Sequence, residues 1–155
     1  MNPSPLIPFP EKGRLAAIDY GTVRIGVAIC DPGRTLASPY ENYTRRTPTL
    51  DTQYFQRIAK EERLAGFVVG LPLHMSGEES QKSHEARQFG AWLAEITQLP
   101  VTFYDERLSS TLAEDWLNES GLTKKGRKQR LDKLAAQIIL MSYLENTSRP
   151  NPNDQ

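Results

Sequence analysis

A single cysteine, Cys30, leaves no internal disulfide and no metal-ligand spacing of the cysteine type. It lies in an apolar run, where it reads as a small buried hydrophobe. No apolar run approaches the roughly 18 residues of a membrane span. The opening MNPSPLIPFPEKG lacks a basic leader stretch and holds four prolines, so it does not read as a signal peptide. A cytoplasmic protein is the expectation. Neither sign of charge is in excess, with 19 basic and 19 acidic residues. No global positive field marks the chain, and any nucleic-acid contact must rest on a local patch.

What is present suffices for one domain: 155 residues without internal repeats. A flexible Pro-rich arm is expected over 1–13, a single domain over 14–146 and a flexible tail over 147–155. RLAAIDYG and RIGVAICD are strand-like, and their short link predicts an antiparallel hairpin. ASPYENYTRR is a third strand, placed at an edge by Pro39. TLDTQYFQRIAKEERL has helical spacing, with Tyr54, Phe55, Ile58 and Leu64 as core contacts. AGFVVGLPL reads as a buried strand.

ESQKSHEARQFGAWLAEITQ is a helix with Ala86, Phe89, Leu93 and Ile96 on one face. PVTFYDER is a further strand. SSTLAEDWLNESG reads as a helix, with Thr111 and Glu114 at capping-box spacing and Gly121 as a stop. KKGRKQR reads as a basic loop. LDKLAAQIILMSYLEN is a last helix with Leu131, Leu134, Ala135, Ile138 and Ser142 along one face. The order β-β-β-α-β-α-β-α-α implies an α/β fold, a mixed sheet with helices packed over it.

Acids stand at unusual places. Asp19 ends the first strand, Asp105 and Glu106 end the last, and Asp132 opens the last helix. In open α/β sheets, sites form at the carboxyl ends of strands. Two carboxylates about 5 Å apart repel by roughly 3 kcal/mol at an effective dielectric near 20. A divalent cation, or protonation of one member, would sustain such a cluster. Hard oxygen ligands suit Mg²⁺ or Mn²⁺. Each acid also has an ordinary structural reading: Asp132 as a helix cap, Asp19 as a turn residue, Glu106 as a partner of Arg107 or Arg24.

AIDYGTVRIGVAICD, VVGLPLHMSGEES, FYDERLSSTLAE and LDKLAAQIILMSYLE together resemble the YqgF/RuvX family of Holliday-junction-resolvase-like proteins and pre-16S rRNA nucleases. The resemblance runs from about Leu15 to Glu145. It implies an RNase H-like fold, a five-stranded mixed sheet with three antiparallel strands first. It also implies that Asp19, Glu106 and Asp132 are the metal-binding catalytic acids. Asp105 is a possible auxiliary, although strand alternation sends it to the opposite face from Glu106. Gly21 would keep the turn narrow enough for a phosphate to approach. Departures are the longer N-terminal arm, His74 where many members carry Asn, and Ala135 and Ala136 where related resolvases place a second acid.

Nucleic-acid contacts are expected from Arg24, His74 and Arg107, and from Lys124, Lys125, Arg127, Lys128 and Arg130 of the basic run. A solvated histidine and a solvated basic loop are the ordinary readings of these residues. Gly70 and Gly77 allow tight turns in GLPLHMSGEES, and Ser76 and Ser80 are candidate caps. His84 reads as a surface residue.

The resemblance implies a divalent-metal-dependent nuclease acting on structured nucleic acid. The substrate would be the 5′ end of pre-16S rRNA, in ribosomal precursor particles, or alternatively a branched DNA junction. A nucleic-acid-binding module with weak or no catalysis is the alternative of another class. An actin-like phosphotransferase shares the DYGT hairpin but needs two such domains. A resolvase cutting two strands symmetrically would favour a homodimer over a monomer.

Overall fold

The computed structural model describes residues 8–109, 112, 115 and 124–148; within the last stretch, side chains are described at 126 and 134–147. Its elements are β1 (Arg14–Asp19), β2 (Arg24–Cys30), β3 (Ala37–Thr44), α1 (Pro48–Glu61), β4 (Leu64–Leu71), α2 (Gln81–Thr97), β5 (Val101–Asp105), a 3-10 turn (Glu106–Ser109) and α3 (Lys124–Ser148). The sheet order is β3-β2-β1-β4-β5. β1, β2 and β3 pair antiparallel; β4 joins β1, and β5 joins β4, in parallel. This is the expected mixed sheet, and β3 is at its edge. The β2–β3 register shifts between Val27 and Ala28, where Pro39 faces Ala28 and cannot donate a ladder hydrogen bond.

Strand alternation divides the core into two layers. Ala16, Ile18, Phe67 and Val69 pack under α1 and α2 against Phe55, Ile58, Phe89 and Leu93. Leu15, Ala17, Val68 and Tyr104 pack on the other face against Ala136, Ile139, Leu140 and Leu144 of α3. Phe55 is fully buried; truncation to Ala would cost about 3–5 kcal/mol. Cys30 is buried, and its Sγ accepts from the Leu15 N–H at 3.2 Å, as its apolar setting implied.

α1 starts where Thr47 accepts from the Leu50 N–H and Pro48 supplies a preset first turn. It ends before Leu64, because Arg63 turns the chain with φ of 52°. Leu64 is therefore the first residue of β4, and it is buried in the same core cluster as Tyr54, Phe55 and Ile58. α2 opens on a reciprocal Ser80–Ser83 capping box. Ser76 caps no helix; its hydroxyl accepts from Glu78 within the loop.

Two expectations are corrected at the C-terminal end. KKGRKQR is not a loop: helix α3 begins at Lys124 and runs through it. Lys, Arg and Gln are good helix formers, and one Gly costs only about 1 kcal/mol. Asp132 is accordingly the ninth residue of α3, too far in to cap it. Ile138 and Ser142 of the expected face of α3 are buried, but Leu134 and Ala135 are only half-buried, and Ala136, Ile139 and Leu140 are buried beside them. The helix expected over SSTLAEDWLNESG, with Thr111 and Glu114, lies almost wholly outside the described residues, as does Leu131's side chain.

Residues 8–13 carry no regular secondary structure but are tied down. The Arg34 guanidinium donates to the carbonyls of Gly13 (2.8 Å) and Pro10 (2.9 Å). Phe9 meets the Tyr143 ring edge-on. Among the described residues, no helix is long and apolar enough to cross a membrane.

Candidate active site

A cleft of about 290 Å³ opens at the carboxyl ends of β1, β4 and β5. Asp19, Gly21, Gly70, Lys82, Glu85 and Glu106 line it. Alternation explains why two of these are the acids expected from sequence. Asp19 follows Leu15 and Ala17 on the face covered by α3, and Glu106 follows Tyr104 on that face. Glu106 stands one residue past β5, in the first position of the 3-10 turn.

Two glycines face them, and one of the two makes room. A Cβ on Gly26, which pairs with Asp19, would stand 3.4 Å from the Asp19 Cβ and 3.6 Å from the Ala136 Cβ. A Cβ on Gly70 would stand 2.6 Å from both Glu106 Oε1 and Ile139 Cδ1. Gly70 is thus inside β4 and forms no turn; its lack of a side chain admits the Glu106 carboxyl. α3 packs beside the same two glycines through Ala136 and Ile139, and residue 132 of its backbone lies one turn before Ala136.

Burial and, next, the Asp19 charge push the Glu106 carboxyl up to about 7, with Lys82 opposing. A buried carboxyl whose ionisation is opposed, beside a second hard-oxygen carboxyl, fits a divalent cation, which would relieve that penalty. Among the described residues, no group of three acid, His or Cys side chains stands close enough to hold one. The Asp132 side chain lies outside them.

Asp105 and Arg107 form a separate unit. The Asp105 carboxylate accepts from the Arg107 backbone N–H at 3.0 Å and from its guanidinium at 2.9 and 2.5 Å. These bonds hold Asp105 below the usual carboxylate range. Arg107 also donates to the Met75 carbonyl at 3.1 Å, fastening the β4–α2 loop to the end of β5. Gly77, at φ of 90°, turns that loop beside the guanidinium.

Arg24 and His74 are exposed, and neither they nor Arg107 line the cleft. The His74 backbone closes the loop with Gly77 and Glu78. His84 is exposed on α2, as expected. Gly21 is dictated by the hairpin itself: a Cβ there would meet the Arg24 carbonyl oxygen at 2.2 Å. The side chains of Lys124, Lys125, Arg127, Lys128 and Arg130 lie outside the described ones; their backbone forms the start of α3.

Lys82 and Glu85 were not singled out from sequence. Their signal was present, because Lys82 stands three residues before Glu85 and four before Ala86, spacings that share one side of a helix.

Comparison with known proteins agrees with this architecture. A curated protein of Rhodopirellula baltica, named "Putative pre-16S rRNA nuclease", is 54% identical over 137 residues, 88% of this chain and 79% of that protein. One of the same name from Rhodobacter capsulatus is 40% identical over 136 residues, covering 88% and 86%. The structure of Thermus thermophilus RuvC in complex with Holliday junction substrate superposes with a TM-score of 0.56 at 16% identity, covering 88% of this chain and 97% of that one. That likeness shows the fold, which is RNase H-like. The model of the RuvX family, described as Holliday junction resolvase, matches residues 13–146, and the chain belongs to that family.

Proposed function

We propose that this protein is a divalent-metal-dependent endonuclease that hydrolyses phosphodiester bonds of structured nucleic acid, with the 5′ end of pre-16S rRNA as its substrate. The observation that carries the reading is the pair Asp19 and Glu106 in one cleft at the carboxyl ends of β1 and β5, walled by Lys82, Glu85 and Ala86 of α2. The names of the curated relatives support the RNA substrate. The family description supports a branched DNA junction as the second reading.

Asp19, Glu106 and Asp132 are the proposed ligands of Mg²⁺ or Mn²⁺. Position 132, one helical turn before Ala136, supports the third. A divalent ion held there would stabilise negative charge developing on the scissile phosphate. The protein's own part is to hold two carboxylates rigidly. Asp19 is fixed by the β1–β2 ladder at Gly26, and Glu106 by the space over Gly70. Lys82 adds positive charge at the cleft wall, suited to an incoming phosphate. Asp105 and Arg107 are proposed to position the loop at the cleft edge rather than to bind metal. Lys124, Lys125, Arg127, Lys128 and Arg130 are proposed to hold phosphate backbone along the first turns of α3. A cytoplasmic location and a monomeric or dimeric state complete the reading.

The test is cleavage of end-labelled pre-16S rRNA fragments and of a four-way DNA junction, with Mg²⁺, Mn²⁺ or EDTA. Metal-dependent cutting of the RNA supports the first reading, and cutting of the junction alone supports the second. Binding without cutting under every condition would replace both with the binding module.

A further inference from the structure

A second and larger cavity, of about 740 Å³, continues from the carboxylate cleft along the outside of the β1–β2 hairpin. The two share Tyr20, Thr22 and Glu85 as common wall. Three aromatic rings form a contiguous floor. Tyr20 lies 5.2 Å from Phe89, and Phe89 lies 5.3 Å from Trp92, both pairs tilted by about 40°. Arg45 and Arg46 form the opposite rim.

The rim is built. Arg45 donates to the Tyr20 hydroxyl at 3.2 Å and to the Gly21 carbonyl at 3.4 Å, and its guanidinium stands 5.4 Å from the centre of the Tyr20 ring. The Arg45 backbone N–H donates to Val23. The hairpin that carries Asp19 is thereby locked to the segment before α1. Asp51 also lines the cavity, but its carboxylate is committed: it accepts from the Tyr43 hydroxyl at 2.6 Å and the Arg46 N–H at 2.9 Å, and pairs with Arg45 at 3.7 Å. Arg46 itself is exposed.

Aromatic faces beside one fixed guanidinium, Arg45, and one exposed guanidinium, Arg46, suit unstacked bases joined by phosphates. From this geometry we infer that the groove binds the nucleotide next to the scissile phosphate in unstacked form, its base over Tyr20 and Trp92 and its outer phosphate at Arg46. The volume lies within the about 300–1,000 Å³ typical of small-ligand sites. Glu85 lines both cavities, and with the nucleotide so placed its carboxylate would meet the base, where it suits an exocyclic amino group. The inference rests on the nuclease reading for its direction, from Asp19 outward along Tyr20.

The test uses the Asp19→Asn protein, so that binding is read without cutting. Short single-stranded RNA and DNA of one sequence carry a fluorescent purine analogue at successive positions. One position should respond strongly on binding. Arg46→Glu should raise Kd about tenfold or more, and Gln88→Glu, on the groove's α2 wall, should raise it too. Arg57→Glu, an equal charge change on α1 outside this groove, should leave Kd within about twofold. Thermal melting of each variant reports folding, and Gln88→Glu keeps the test valid if Arg46→Glu melts early. Equal loss in the Arg46 and Arg57 variants, or no responding position, overturns the inference even if the wild type cuts. A responding position with a selective Arg46 effect, in a protein that cuts nothing, upholds the groove and overturns the nuclease.

Discussion

Gly70 and Glu106 occupy the same space: a methyl group on Gly70 would stand 2.6 Å from Glu106 Oε1. It would also stand 2.6 Å from Ile139 Cδ1, so Gly70→Ala must displace one side chain of the cleft and one of the core. The expected cost is about 1–3 kcal/mol in stability, with loss of cutting. Adding Ile139→Val removes the apolar half of the clash. The double variant should regain stability in urea melts while staying inactive, because the carboxyl is still displaced.

Asp19 and Asp105 end parallel strands of one sheet, yet their substitutions should part company. Asp19→Asn should lower metal-dependent cutting at least about 100-fold with an unchanged melt. Asp105→Asn weakens the Arg107 clamp on the Met75 loop. It should leave metal binding intact and increase protease sensitivity near residue 75. Limited proteolysis beside metal titration would separate the two roles.

Tyr104 and Ser142 share a buried hydrogen bond of 2.7 Å that fastens β5 to α3, and Asn146 donates to the same phenol oxygen. Tyr104→Phe leaves these partners without it. A loss of about 1–3 kcal/mol is expected from denaturant unfolding. Because the bond joins the strand leading to Glu106 to the helix above it, cutting should weaken more than binding does.

Asp31 gives the fold an acid limit. Its carboxylate accepts from the Leu36 and Thr35 N–H groups and from the Thr35 hydroxyl, which lower it from 3.8 to about 2. A depressed carboxyl stabilises the folded state above its unfolded value and loses that contribution as pH falls through the folded one. Wild-type stability should therefore decline between about pH 4 and pH 2. The decline should be shallower in Asp31→Asn, read as urea midpoint against pH.

The basic run gives a salt test. Replacing Lys124, Lys125 and Arg127 with Gln should weaken nucleic-acid binding and lower the slope of log K against log salt by up to about 3. Helicity should be kept, since Gln is a good helix former. An unchanged slope would remove the start of α3 from the binding surface.

The sequence by itself determined the order of elements along the chain, the edge position of β3 and the placing of Asp19 and Glu106 beside strand ends. Those features follow from local rules: apolar periodicity, Pro39 without an N–H, and alternation along a strand. It also carried the family, through motifs that hold their order along the chain. Only the tertiary structure decided that Gly70 is a cradle and not a turn, since its neighbours Glu106 and Ile139 are distant in sequence. The same holds for Lys82, Glu85 and the arginine rim over Tyr20, which are brought together by packing of α2 and the β3–α1 link against the hairpin. The helical state of KKGRKQR escaped local reading because Gly126 and a run of like charge both signal a loop, while the burial that stabilises α3 lies one turn and more downstream. Local propensity specifies elements; which side chains share a cleft is set by contacts between them.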